Sequence, residues 1–140
     1  MIPRMTDDVL KEWNYTVKED HRDGTSSKSQ WAITVAQEKR AFKKAMAEGW
    51  TELSSAKAWG LHLIHGAPQC LGHLAAKSGS PNARAFIAFY DLSANTHGYP
   101  ADYRQTREKP PSRVRSAWVK TKTISKAKAS KIGQGKRCVL

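Results

Sequence analysis

The chain has 140 residues, 39% of them hydrophobic, and its 24 Lys and Arg against 12 Asp and Glu give a formal charge of +12. That length allows one domain with a real core, five Trp argue against wholesale disorder, and no apolar run approaches the ~20 residues of a membrane span. The start MIPRMTDDVL lacks the apolar stretch of a secretory signal, and two distant cysteines make no disulfide framework, so an intracellular setting (cytoplasm or nucleoid) is expected.

Residues 1–12 form a mixed lead-in, in which Thr6, Asp7 and Asp8 suit a helix start because acids favour the positive end of the dipole. Two runs then alternate with period two. Trp13, Tyr15 and Val17 share one face, as do Trp31, Ile33 and Val35. The polar connection HRDGTSSKSQ contains Asp-Gly, a turn signal, so the spacing predicts a β-hairpin over about 13–36. A helix carrying Val9, Leu10, Trp13 and Val17 on one face is the competing reading.

From Gln37 the period becomes helical. Ala41, Phe42, Ala45 and Met46 fall on one side of a helix over 37–48, with Lys39, Arg40, Lys43 and Lys44 on the other and Gly49 as its stop. Further helices are predicted over 52–65, 69–77 and 81–95. The second is capped by Thr51 and broken at Gly66-Ala67-Pro68, and the fourth opens at Ser80-Pro81. The last of these is apolar nearly all round, from Ala83 to Ala94, and should be buried at the centre of the core. The proline-rich segment 99–111 reads as loop with at most a short helical turn from Ala101 to Arg107.

Residues 109–140 carry ten Lys and Arg and no Asp or Glu. A block of one sign repels itself until a polyanion neutralises it. Its first part, 113–124, holds Val114, Trp118, Val119 and Ile124 and reads as an anchor, with a third strand near 116–124. Its second part, 126–140, reads as a solvated arm. The expected architecture is a single α+β domain over 1–108, predominantly helical with an N-terminal β-hairpin, followed by a basic extension over 109–140.

This pattern predicts non-enzymatic binding of nucleic acid, DNA or RNA, or of another polyanion, alone or within a larger nucleoprotein assembly. Lys39, Arg40, Lys43 and Lys44 would supply a folded patch. Arg113, Arg115, Lys120, Lys122, Lys126, Lys128, Lys131, Lys136 and Arg137 would supply the main charge, with Trp118 available to stack on a base. Nothing resembles a base-reading helix, so the contacts should be largely independent of sequence.

Two other chemistries are written in the histidines. His62, His65, Cys70 and His73 are four soft ligands within twelve residues, suited to zinc by type although their pairs are closely spaced. The nucleic-acid reading itself requires no cofactor. A small nuclease could use the same group, with or without zinc. In it His62 or His65 would pair with His97 as acid and base, with Arg84 or Arg104 as the stabilising cation. A third class is an adaptor whose basic surface docks an acidic protein.

Overall fold

A computed structural model describes residues 7–75 and 83–140, and the elements below are those of the described residues. Four helices occur there: α1 (Asp8–Glu12), α2 (Val35–Glu48), α3 (Ser112–Lys120) and α4 (Lys126–Gly133). The strands are β1 (Gln30–Trp31), β2 (Thr51–Glu52), β3 (Lys57–Gly60), β4 (His62–Ile64), β5 (Ala67–Gln69), β6 (Gly72–His73), β7 (Arg84–Ala85), β8 (Ala88–Asp91) and β9 (His97–Pro100). Single 3-10 turns lie at Glu19–His21, Leu53–Ser55 and Thr106–Glu108.

Local chemistry sets α2 at both ends. The Thr34 hydroxyl accepts the Gln37 backbone N–H at 3.1 Å, while the Gln37 side chain accepts the Thr34 N–H at 2.9 Å, a reciprocal capping box. Gly49 then stops the helix in the left-handed conformation at φ 73°. Ala41, Phe42 and Ala45 are buried along its inner face.

That face lies on the main sheet, whose antiparallel order is β2-β3-β8-β9. Trp59 of β3 stands opposite Phe89 of β8, which in turn faces Tyr99 of β9. Phe42 meets Tyr90 edge-on at 5.1 Å, and Trp59 meets Phe89 at 6.0 Å. Each such buried ring contributes on the order of 2 kcal/mol from the area it removes from water. The remaining strands form a sheet ordered β1-β6-β7 and a β4-β5 hairpin.

The fold is therefore mixed α+β and not predominantly helical, which corrects the expectation from sequence. The segments expected as helices over 52–65, 69–77 and 81–95 contain β2 to β8 instead. Periodicity alone cannot separate a helix buried all round from a strand buried on both faces. Residues 85–90 are such a run, fully enclosed, with β8 hydrogen-bonded between β3 and β9. The helix start expected at Ser80-Pro81, the segment end expected at Lys77, and the Thr6 cap lie outside the described residues.

The 13–36 hairpin does not form. Gln30–Trp31 pairs with β6, and the 13–17 run touches the sheet through the Thr16 N–H, donated to the Thr96 carbonyl at 2.7 Å. The loop closes on itself around Gln30. That side chain accepts the Gly24 N–H at 2.9 Å and donates to the Asp20 carbonyl at 2.8 Å.

The basic extension is also different in kind. No strand forms near 116–124; Pro111 precedes α3, whose Val114 and Trp118, one helical turn apart, have no exposed surface. Trp118 meets Trp50 edge-on at 5.7 Å. Ser125 caps α4 by accepting the Lys128 N–H at 3.1 Å, and α4 buries Ile132 completely. Val114, Trp118, Ile124 and Ile132 belong to the same core as Phe42 and Trp59. Residues 109–140 thus contribute to the core of the domain.

Candidate functional site

Two regions gather the chemistry. The first is the outer surface of α3, α4 and the segments beside them. Lys120, Lys122, Lys126, Lys131, Lys136 and Arg137 are exposed there. None of their side chains has an ion pair or hydrogen bond to another described residue, and no acid lies between 109 and 140.

The other cations expected to bind are more committed. Lys43 pairs with Asp7 at 3.1 Å and Lys44 with Glu48 at 3.0 Å. Arg113 donates to the Gly49 and Thr51 carbonyls, tying α3 to the end of α2. Lys128 donates to the Leu140 carbonyl oxygen at 3.1 Å, and Arg115 lies against Gly133 between α3 and α4. Lys39 is half-buried and Arg40 exposed. Trp118, fully enclosed, has no face to offer a base.

The second region is a cleft of about 460 Å³ at the β9 edge of the main sheet. β9 supplies His97 and Tyr99, two residues apart and therefore on one side of the strand. The Glu19–His21 turn brings His21 flat against Tyr99, with ring centroids 4.8 Å apart and planes 10° from parallel. The loop after β9 adds Asp102, Arg107 and Glu108, and Lys18 and Lys28 close the rim.

The hydrogen bonds in the cleft fix its side chains. His21 donates from Nδ1 to the Ser29 carbonyl at 2.7 Å, and His97 donates from Nδ1 to the Asn95 carbonyl at 3.0 Å. Each ring keeps Nε2 as its open proton-transfer position. Arg107 donates to the Tyr99 hydroxyl at 3.0 Å, lies 3.6 Å from Asp91, and covers the Phe89 ring at 5.2 Å. Glu108 accepts the Asp102 N–H at 3.0 Å, and its own carbonyl accepts the Trp59 indole N–H at 3.0 Å, so the loop is pinned to the core. Asp102 in turn holds Arg104 at 3.1 Å.

Leu74 and Asp102 line this cleft and also a shallow notch bordered by Arg84, Arg104 and Arg137. Arg84, Arg104 and Arg137 thus stand next to the cleft, with Asp102 between them and it. Burial pushes the Tyr99 hydroxyl up, and the bond to that hydroxyl raises Arg107.

Burial likewise holds the His21 imidazole below its ordinary value of 6.5, against the opposing pull of the Ser29 carbonyl. The unfolded chain then takes up this proton before the native one does. Stability from this group is full above about pH 6.5 and declines as pH falls through that value toward the lower native one. His21→Gln is expected to flatten this acid decline, read as urea midpoints at about pH 7 and about pH 5. An unchanged difference between the two midpoints counts against it.

The histidines expected to act together are dispersed. His62 lies in β4, opposite Gln69, beside a separate groove with Arg40 and Lys44; burial, then Arg40, lowers its pKa. His65 is exposed at the β4–β5 turn with φ 51°. The Cys70 thiol donates to the Gly72 carbonyl at 3.3 Å, and His73 stands in β6 between Gln30 and Arg84. Among the described residues no three His, Cys, Asp or Glu are grouped to hold a metal.

His97 shares its cleft with a second imidazole, and that is His21. Nothing local marks His21 in the sequence: it sits in a polar turn, and Tyr99, which orients it, lies far along the chain. No helix among the described residues is long and apolar enough to cross a membrane. No protein-family model, curated protein or solved structure matches this chain.

Proposed function

We propose that this protein binds nucleic acid through phosphate contacts, from a rigid basic surface built on α3 and α4. One observation carries the reading. Lys120, Lys122, Lys126, Lys131, Lys136 and Arg137 are exposed, unpaired within the described residues and drawn from a stretch, 109–140, that contains no acid. Such a surface repels itself in the free protein and is relieved by a dense row of negative charge. Phosphates supply that row, and each one neutralised releases condensed counterions. The contacts read the backbone and not the bases, so discrimination among sequences is weak.

Zinc plays no part in this reading. The free thiols of Cys70 and Cys138 suit a reducing intracellular compartment, where nucleic acid or a nucleoprotein assembly is the available partner. An acidic protein is the competing occupant, and the same measurement separates the two.

The test is affinity for a single-stranded and a duplex oligonucleotide between about 50 and about 200 mM salt. The log–log slope should be about −3 or steeper if four or more phosphates are met. Replacing Lys120, Lys122, Lys126 and Lys131 together by Gln should reduce the slope by about 0.7 to 0.9 per residue in contact. No binding, or a slope near zero in the unaltered protein, rejects the proposal.

A further inference from the structure

The cleft has features that a binding surface does not need. Two imidazoles line it, each held by a backbone carbonyl at Nδ1. His97 precedes Tyr99 by two positions on β9, and His21 is stacked on Tyr99, so both imidazoles line the cleft beside the same strand residue. The cleft, about 460 Å³, has room for a phosphate group. Arg107 is fixed beside them by Tyr99, Asp91 and Phe89, and Lys18 and Lys28 stand at the rim. The acids of the cleft are largely committed, Asp102 to Arg104 and Glu108 to backbone, while Asp20 faces Lys28 at 4.0 Å.

We propose that this cleft cleaves RNA, with His21 as general base and His97 as general acid, a reading that rests on the nucleic-acid binding proposed above. His21 is 8% exposed and donates from Nδ1, the tautomer whose Nε2 lone pair can accept a proton. It takes the proton of a ribose 2′-hydroxyl as that oxygen bonds to the adjacent phosphorus. The bond from phosphorus to the 5′-oxygen breaks, and that oxygen receives a proton from Nε2 of His97. The products are a 2′,3′-cyclic phosphate end and a 5′-hydroxyl end. His21 has gained one proton and His97 has lost one, and exchange with water restores both. Arg107 bears the charge that builds on the non-bridging oxygens in the transition state. The nucleophile is internal to the substrate, so two imidazoles and one cation complete the set.

The alternation of binding and chemistry gives a direct test on the full chain. A single-stranded RNA and the same strand with 2′-deoxyribose are incubated with protein in the presence of a chelator, and products are weighed by mass spectrometry. Expected are RNA fragments with cyclic-phosphate and 5′-hydroxyl ends, and an intact deoxy strand. His97→Gln should slow cleavage about 10²- to 10⁴-fold. His21→Ala should do the same, but His21 is packed on Tyr99, so the half-buried His97 carries the decision. RNA left intact while the deoxy strand is bound overturns the cleavage and leaves the binding standing. Intact RNA with no binding overturns both. Cleavage of the deoxy strand, loss of cleavage with chelator, or full rate in His97→Gln each overturns the assignment of the site.

Discussion

Glu38→Ala should destabilise the fold by about 3–5 kcal/mol, the usual range for removing one partner of a buried ion pair. Glu38 has no exposed surface and is the meeting point of three elements. Its carboxylate accepts the Tyr15 hydroxyl and both Nε and Nη2 of Arg22, at 3.1 and 2.7 Å. Arg22 also donates to the Ile33 carbonyl at 2.9 Å. These bonds fasten the irregular segment before α2, which has few backbone bonds of its own, to the inner face of that helix. Alanine leaves a largely enclosed guanidinium without its counter-charge and the Tyr15 hydroxyl without its acceptor. Glu38→Gln keeps the volume and part of the bonding, so it should cost less. Urea unfolding checks both: the midpoint should fall with little change in slope, further for Ala than for Gln. Equal effects would mean that the charge is immaterial. Because Arg22 follows His21 directly, a loosened Glu38 should also disturb the cleft.

The second large effect concerns residues 109–140. Deleting them should abolish cooperative folding, and Trp118→Ala alone should cost about 3–5 kcal/mol through the cavity it leaves. Trp118 is enclosed against Trp50, and Val114, Ile124 and Ile132 complete the same layer. Neutralising exposed Lys120, Lys122, Lys126 or Lys131 should instead shift stability by no more than about 0.5 kcal/mol. Thermal unfolding of the two sets of variants distinguishes core from charge. A truncated protein that still unfolds cooperatively at the original temperature would show that the helices are appended to a self-sufficient domain. The charge of this segment must therefore be tested by point substitution, because deletion removes core and charge together.

How much of this was legible in the sequence depends on where each element buries its apolar groups. α2 has one apolar side and one charged side, and its period is plain from Gln37 to Gly49. The stretch through β7 and β8 is enclosed, so its unbroken run Ala85 to Tyr90 carries no period, and the central place expected for it survives while its helical form does not. The stretch around α3 misleads for the opposite reason: Val119 and, just past the helix, Thr121 and Thr123 favour a strand locally, yet Val114 and Trp118 are one helical turn apart and bury together. The cations of the surface were visible as a charge run. Their division into free and committed side chains was not, because Lys128 and Arg113 bond to carbonyls remote from them in the chain. His97 could be singled out as a histidine, but that it shares a cleft with His21 follows only once the Glu19–His21 turn lies against Tyr99 of β9.

The placement of Ile132 and Trp118 in the core also bears on how the protein is made. Synthesis proceeds from the N-terminus, and domains tend to fold as units when their parts become available. Here the segment around Tyr15 and Thr16 waits for Thr96, β3 waits for β8, and the layer around Trp50 waits for α3. Phe42 therefore lacks Tyr90, Trp59 lacks Phe89 and Trp50 lacks Trp118 until those later segments have been made. Long-range closure of this kind slows folding, and exposed rings favour aggregation in the interval. Yield in a cell should accordingly respond to growth temperature and to chaperone supply.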